Sequence, residues 1–246
     1  MSPTSPIILW DIDGTLMRSR GRRVTTNAFN RALKLASQLA DELPYPRDAH
    51  GKTDNQIALE MLMAASFDEA DAGALLAGFG QTYLATLEAE RELLIEDLEV
   101  LPGVRAVLSE LGRQSVTQSL LTGNLEPVAR LKLACTQLDE LLNIDIGAFG
   151  SDHRDRTCLV PIVRERVKHR LGFEPKPQDI VVVGDTPRDI ACARASGARA
   201  VAVATGNFKR QDLEAHAPDA ILDDLQDTQA VLNTLLRYST DRALIV

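Results

Sequence analysis

Short strand-forming runs that alternate with helical segments restrict the fold of this chain more than any other feature. The first run, Ile7–Trp10, is wholly apolar, and further strands are predicted at 116–121, 144–149, 179–183 and 200–203. Helical segments are predicted between and after them, at 103–112, 125–134, 159–171, 187–196 and 225–236. Apolar runs of this length are typical of strands buried on both faces of a parallel sheet. The alternation therefore predicts an α/β fold with a mostly parallel sheet.

The segment between the first two predicted strands has a different pattern. Apolar residues recur at steps of three and four from Val24 onward, and they predict helices at 24–39, 54–66 and 68–95. A loop that contains Pro44, Pro46 and Gly51 separates the first two helices. Because no strand pattern occurs here, we interpret this segment as a helical insertion.

Composition excludes several classes of function. Lys and Arg number 27 against 35 Asp and Glu, so the net charge of −8 opposes a surface that binds duplex nucleic acid. Aromatic residues make up only 4%, which argues against a stacking platform for single strands. The first residues, MSPTSPIILW, lack the features of a signal peptide, and no apolar run approaches ~20 residues, so we expect no membrane span. Three widely spaced cysteines fit reduced thiols, and we expect a cytoplasmic protein.

Polar residues follow three of the predicted strands where those strands end. Asp11 and Asp13 follow the first, Thr122 follows the second, and Asp185 with Asp189 follows the run at 179–183. Ligands of open α/β sheets bind at the carboxyl ends of the strands. Four carboxylates there repel one another unless a hard divalent cation lies among them, and Mg²⁺ takes carboxylates together with phosphate oxygens. The pattern predicts a Mg²⁺ site for a phosphate ester, with a carboxylate able to act as nucleophile.

The same segments resemble the haloacid dehalogenase-like superfamily. DIDGTL at 11–16, LLTGN at 120–124 and VVVGDTPRD at 181–189 carry the resemblance. LPGV at 101–104 and GAFGSD at 147–152 are similar to the phosphoglycolate-phosphatase-like branch. The resemblance implies a Rossmann-like catalytic core at 1–16 and 97–246, with an inserted helical cap domain at 17–96.

The resemblance also implies roles for single residues. Asp11 would attack phosphorus, and Asp13 would serve as general acid and then as general base. Asp11 and Asp185 would hold Mg²⁺ by their side chains, Asp13 would add its backbone carbonyl, and Asp189 would orient metal-bound water. Thr122 would donate a hydrogen bond to a phosphoryl oxygen.

Further residues are expected to contact the substrate. Gly14 and Gly123 allow the backbone to approach a phosphate closely, and Thr15 and Asn124 lie beside them. In the insertion, the loop at 49–54 resembles the G-x-T-D segment of this branch. Its substrate-contacting residues are expected to be Gly51, Lys52 and Thr53.

One position departs from the family pattern. The family has a lysine some 20–30 residues before the GDxxxD segment, but this chain has no lysine between positions 133 and 167. Arg156 is predicted to supply the positive charge, with Lys168 and Lys176 as alternatives. Arg130 and Lys132 are predicted to lie on a solvated helix face.

Together these observations predict a Mg²⁺-dependent phosphoric monoester hydrolase that acts on a small molecule through an aspartyl-phosphate. A phosphotransferase of the phosphoglucomutase kind and a non-catalytic phosphate-binding protein remain alternatives. Asp13 argues against a dehalogenase, because halide leaves without a proton. The sequence leaves the substrate and the oligomeric state open.

Overall fold

The central element is a parallel sheet, which has five strands in the part of the chain that the structure describes. The sequence pattern predicted a mostly parallel sheet. The computed structural model describes residues 6–114 and 116–238. The strands of the chain are β1 (Ile7–Trp10), β2 (Met17–Ser19), β3 (Leu98–Val100), β4 (Thr117–Leu120), β5 (Ile180–Gly184), β6 (Arg199–Val203) and β7 (Ala220–Leu222). The sheet has the order β4-β1-β5-β6-β7, and every neighbouring pair in it is parallel.

Among the described residues, ten α-helices accompany these strands. They are α1 (Val24–Ser37), α2 (Asp54–Ala64), α3 (Glu69–Ala89), α4 (Arg91–Asp97), α5 (Val104–Arg113), α6 (Glu126–Thr136), α7 (Leu159–Leu171), α8 (Pro187–Ala195), α9 (Arg210–Glu214) and α10 (Thr228–Leu236). Helices cover both faces of the sheet, so β1 and β5 are buried along their whole length. This is the α/β, Rossmann-like class that the sequence predicted. None of the helices in the described ranges combines the length and the apolarity needed to cross a membrane.

The order of the strands in the sheet determines where the loops after β1, β4 and β5 lie. β1 lies between β4 and β5, with Trp10 in register with Leu120 on one side and Val183 on the other. The loops that follow these three strands therefore meet at one edge of the sheet. The amide of Asp11 continues the pairing by donating to the carbonyl of Val183 at 2.9 Å.

Helices α1 to α4 lie between β2 and β3, and we call residues 17–96 the cap. β2 and β3 pair antiparallel, so the two chain segments that connect the cap to the sheet lie side by side. Asp97, which is fully buried, accepts hydrogen bonds from the Ser19 hydroxyl and from the amides of Arg22 and Val24. The Asp97 carboxylate therefore joins the segment where the chain enters the cap to the segment where it leaves the cap.

Aromatic contacts join the cap helices. The Phe29 ring on α1 meets the rings of Phe79 and Tyr83 on α3, with centroids 4.8 and 5.4 Å away. Tyr45, from the loop after α1, meets the same ring edge-on at 5.4 Å.

Two predicted elements were wrong. The single helix expected at 68–95 is broken at Glu90, whose backbone leaves the helical region and whose carboxylate binds Arg31. The strand expected at 144–149 is a short 3₁₀ turn at Ile144–Ile146, after which only Ala148 pairs with the strand neighbour Leu121. Strands β2, β3 and β7 were not predicted, because three residues are too few to show a periodic pattern.

Candidate active site

Three buried carboxylates meet at the carboxyl edge of the sheet. Asp11 follows β1, Asp185 follows β5, and Asp189 lies in the first turn of α8. One carboxylate oxygen from each lies within 4.8 Å of the other two. The sequence predicted this convergence, because parallel strands place their carboxyl ends side by side.

Local structure holds two of these side chains in place. Asp189 forms a capping box with Thr186, in which its Oδ2 accepts hydrogen bonds from the Thr186 amide and hydroxyl. The Oδ1 of Asp185 accepts a hydrogen bond from the Thr15 hydroxyl at 3.2 Å. Glycine is needed beside Asp185, because a Cβ on Gly206 would lie 1.7 Å from its Oδ2.

The cluster carries more negative charge than its buried setting favours. Burial raises the pKa of Asp11 to about 6; Arg156 opposes this shift, while Asp189 and Asp13 add to it. Burial and the charges of Asp189 and Asp11 raise the pKa of Asp185 well above its ordinary value. The residues present thus fit a hard divalent cation, because three carboxylate oxygens are ligands that Mg²⁺ prefers and its charge would relieve the repulsion.

Arg156 is the buried cation beside the cluster. Its guanidinium forms ion pairs with Asp11, at 3.2 Å, and with Asp189. It also donates to the carbonyls of Leu121 and Gly51, each at 3.2 Å. Burial alone would lower the pKa of Arg156, but the charges of Asp11 and Asp189 raise it, so the group stays charged.

The two alternative lysines lie elsewhere. Lys168 is half exposed and pairs with Glu174, and Lys176 is exposed in the loop before β5. Of the three cations that the sequence suggested, Arg156 is the one that the structure brings to Asp11.

Lys132 contradicts the prediction of a solvated helix face. It is only 3% exposed, and its Nζ lies 2.7 and 2.9 Å from the two carboxylate oxygens of Asp13. The same Nζ donates to the Asn124 Oδ1 at 2.7 Å, and the Asn124 amide donates to Asp13 at 2.8 Å. A signal was present in the sequence, since Val128 and Thr136, four residues away on either side, share the buried face of α6.

Asp13 therefore has surroundings unlike those of Asp11. Its side chain is 48% exposed because it faces a cavity, whereas that of Asp11 is 6% exposed. Burial acts to raise the pKa of Asp13, but the charge of Lys132 and the hydrogen bonds from Lys132 and Asn124 lower it overall. The two carboxylates, two residues apart, are thus held by different cations.

A cavity of about 790 Å³ separates the cap from the sheet edge. Asp11, Asp13 and Asp185 line its floor, and aromatic residues of the cap line its roof. A volume of this size encloses a whole small-molecule ligand.

The cap loop at 49–54 contacts the sheet edge at the border of the cavity. The Asp54 amide donates to the Gly123 carbonyl at 2.8 Å, and its carboxylate accepts from the Leu125 amide at 2.9 Å. Gly51 approaches so closely that a Cβ there would lie 2.4 Å from the Thr186 hydroxyl. This loop therefore contacts the segments that follow both β4 and β5.

Comparisons with known proteins agree with this geometry. Residues 159–228 match the family described as HAD-hydrolase-like. Pyrophosphatase PpaX of Bacillus mycoides is 22% identical over 234 residues, which cover 93% of this chain and 97% of that protein. The chain is thus similar to haloacid dehalogenase-like hydrolases, in one segment by the family pattern and along most of its length by the relative.

Solved structures share the fold along nearly the whole chain. A hydrolase from Pseudomonas syringae matches with a TM-score of 0.66 at 19% identity, covering 94% of this chain and 99% of that one. A predicted phosphoglycolate phosphatase from Haemophilus somnus matches with a TM-score of 0.62 at 20% identity and the same coverage. At these identities, the two structures show that the chain shares their fold.

The site residues that the sequence predicted fall into two groups. Those that line the cavity are Asp11, Asp13, Gly14, Gly51, Lys52, Gly123, Asn124, Arg156 and Asp185. Within this group, the Lys52 ammonium is already bound by Asp48 and Glu60, each at 2.6 Å.

The second group is buried behind the cavity wall. Thr15 binds Asp185, and the Thr122 hydroxyl accepts hydrogen bonds from the amide and side chain of Asn124. Thr53 donates to the Arg154 carbonyl and caps α2 by accepting from the Gln56 amide. These three hydroxyls therefore orient neighbouring groups of the protein. Asp189, which is also buried, orients Arg156 and Thr186.

Proposed function

We propose that this chain is a Mg²⁺-dependent phosphatase that hydrolyses a small phosphomonoester through a phosphoryl group carried on Asp11. The observation that supports this most is the unequal environment of Asp11 and Asp13. Asp11 lies among carboxylates with Arg156 behind it, while Asp13 faces the open cavity from the other side. One carboxylate is thus arranged to act as nucleophile and the other to exchange protons.

In the first step, an Asp11 oxygen attacks phosphorus, and the bond from phosphorus to the leaving oxygen breaks. Asp13 enters this step protonated and gives its proton to the leaving oxygen, so the product departs as an alcohol. The lowered pKa of Asp13 makes it a stronger acid and reduces the fraction that is protonated at neutral pH.

In the second step, water attacks the phosphorus of the aspartyl-phosphate. Asp13, now a carboxylate, takes the proton from that water, and the bond between Asp11 and phosphorus breaks to release inorganic phosphate. Asp11, Asp185 and the Asp13 carbonyl would hold Mg²⁺, with Asp189 beside it. When bound, Mg²⁺ supplies charge that offsets the phosphoryl oxygens.

Contacts between the cap loop and the sheet edge support exclusion of bulk water during the first step. The hydrogen bond from Arg156 to the Gly51 carbonyl joins the cap to the cation beside Asp11. A closed cap strengthens the electrostatic interactions beneath it.

The test is phosphate release from an aryl phosphate and from a panel of metabolite phosphates, with Mg²⁺ or with EDTA. We expect metal-dependent release by the wild type, its loss in Asp11→Asn, and its retention in Asp41→Asn, which changes an exposed cap carboxylate. Full activity of Asp11→Asn would contradict the assigned nucleophile.

Product analysis separates the alternatives. An isomeric phosphate ester formed without free phosphate would support a phosphotransferase. Binding of Mg²⁺ and phosphate without turnover of any ester in the panel would support a non-catalytic protein.

A further inference from the structure

The loop that follows β6 lies at the same edge of the sheet as Asp11 and Asp185, but the reaction described above uses none of its residues. Thr205, Gly206 and Asn207 of this loop line the cavity. In the strand order β4-β1-β5-β6-β7, β5 separates β6 from β1. The loop after β6 must therefore cross the end of β5 to reach the loop after β1.

Gly206 makes this crossing possible. A Cβ at position 206 would lie 1.7 Å from Oδ2 of Asp185 and 2.6 Å from its Cγ. The backbone of the loop therefore passes directly against the Asp185 carboxylate, at a distance that only glycine allows.

A second glycine lies against the same carboxylate. Gly14 has a φ of 86°, and a Cβ on it would lie 2.4 Å from Oδ2 of Asp185. Its neighbour Thr15 donates a hydrogen bond to Oδ1 of Asp185 at 3.2 Å. The Asp185 carboxylate thus contacts the backbones of two loops, one that follows β1 and one that follows β6.

Thr205 joins these two loops to each other. Its hydroxyl donates a hydrogen bond of 2.6 Å to the Gly14 carbonyl, across 191 positions of sequence. The Gly14 amide donates to the Met17 carbonyl at 2.8 Å, so both polar groups of the Gly14 backbone are bound. Because glycine has the widest choice of backbone conformations, contacts from outside the residue are needed to hold this one.

We propose that Thr205 is a positioning residue that fixes the loop after β1 against the Asp185 carboxylate. It acts through Gly14, whose peptide bond with Asp13 carries the carbonyl that would hold Mg²⁺. The Asp13 carbonyl and the Asp185 carboxylate are thereby held together before a metal or a substrate binds. The inference rests on the proposed function only in assigning these two groups to Mg²⁺.

Amide hydrogen exchange of the metal-free protein measures how firmly the loop is held. The amides at 14–17 are hydrogen-bonded to carbonyls of the same loop. Thr205→Val keeps the shape of the side chain but removes the donor, and we expect these amides to exchange at least about fivefold faster in it. Thr205→Ser keeps the hydroxyl and should exchange like the wild type.

Calorimetric titration with Mg²⁺ measures the consequence for the metal. Groups that orient metal ligands commonly contribute about 10- to 100-fold to metal affinity, so we expect the Kd for Mg²⁺ to rise about tenfold or more in Thr205→Val. Thr205→Ser should restore the affinity of the wild type. With an aryl phosphate at saturating Mg²⁺, kcat should fall in Thr205→Val by a larger factor than KM changes.

Thr234→Val is the matched control. Thr234 is also half-buried, and its hydroxyl donates to the Ala230 carbonyl at 2.8 Å within α10, away from the cavity. This variant should keep the exchange rates at 14–17 and the Mg²⁺ affinity of the wild type. Changes equal to those of Thr205→Val would show a general loss of stability and would overturn the positioning role.

Failure of this inference and failure of the proposed function are distinguishable. Unchanged exchange in Thr205→Val, unchanged affinity for Mg²⁺ that the wild type does bind, or the same defects in Thr205→Ser would each overturn the positioning role, even if phosphate esters are hydrolysed. Absence of Mg²⁺ binding by the wild type would contradict the proposed function. Faster exchange in Thr205→Val with rescue in Thr205→Ser would then still support the positioning role.

Discussion

The Lys132 ammonium lies 2.7 Å from Oδ2 of Asp13 and joins α6 to the loop after β1, across 119 positions of sequence. The Arg156 guanidinium forms an ion pair with Asp11 at 3.2 Å. Each of the two carboxylates thus has its own buried cation. This pairing keeps Asp13 oriented toward the cavity while Asp11 stays within the cluster of three carboxylates.

Removing the charge at position 132 should slow the reaction. In Lys132→Met, we expect kcat to fall by about 10²-fold with a much smaller change in KM, because Asp13 loses the contacts that orient it. Loss of the nearby positive charge should also raise the pKa of Asp13. The limb of the pH profile that reports Asp13 would then move to higher pH.

Arg130→Met is the control for this prediction. Arg130 lies on the same helix but is 43% exposed, and it pairs with Glu126 and Asp145 at the surface. Its removal should change kcat less than twofold. Equal losses in the two variants would show that the effect of Lys132 is on the stability of α6 and not on Asp13.

Arg156→Met should make the protein depend more on Mg²⁺ for stability. Without the guanidinium, the carboxylates of Asp11 and Asp189 lose a buried counter-charge, which typically costs about 3–5 kcal/mol. Melting temperatures in EDTA and in Mg²⁺ measure this. We expect a larger rise with Mg²⁺ in the variant than in the wild type.

Arg154→Met, which removes a surface ion pair with Glu69, is the matched control. Its rise in melting temperature with Mg²⁺ should equal that of the wild type. The same rise for Arg156→Met would contradict the predicted coupling between Arg156 and the metal, and no rise in either protein would contradict a metal bound at Asp11, Asp185 and Asp189.

Asp54 should give a pH-dependent contribution to stability. Burial raises its pKa from 3.8 to about 6, so between these values the folded protein binds more protons than the unfolded chain. The contribution of Asp54 to the free energy of unfolding therefore decreases as pH rises through this window, by ~1–3 kcal/mol.

Asp54→Asn removes this dependence and keeps an acceptor for the Leu125 amide. Urea unfolding at pH 4.5 and pH 7 should show the variant gaining ~1–3 kcal/mol relative to the wild type at the higher pH. A difference that is the same at both pH values would contradict the assigned pKa of Asp54.

Gly123→Ala should impair closure of the cap. A Cβ at this position would lie 2.3 Å from the Lys52 carbonyl, which the approaching loop cannot avoid without moving. We expect kcat/KM to fall at least tenfold while the fold is retained, as checked by circular dichroism and phosphate release.

Gly112→Ala serves as its control, because a Cβ there meets nothing within 4 Å and the residue lies within α5. Helix propensity predicts a stability gain of up to ~1 kcal/mol and no change in activity. Wild-type activity of Gly123→Ala would show that the loop at 49–54 need not approach this closely.

Sequence patterns predicted most of the fold and the acidic part of the site. The four residues of β1 are wholly apolar, which only a strand buried on both faces requires, and α7 was predicted with its observed bounds. The carboxylates of Asp11 and Asp185 could be placed together because the ends of parallel strands meet at one edge. Such predictions depend on the hydrophobic pattern and on where each strand ends, and both can be read along the chain.

Only the tertiary structure decided which cation forms an ion pair with which carboxylate. Lys132 occurs in an amphipathic helix where a solvated lysine is the ordinary outcome, and its burial depends on the rotation of α6 about its axis. The left-handed backbone of Arg23 likewise depends on Asp97, which is more than seventy positions away in sequence. The sequence by itself placed Asp11 and Asp185 at the sheet edge, because each follows a strand directly. Their counter-charges were decided by packing between distant elements, because a charge acts through distance in space and not through position in the chain.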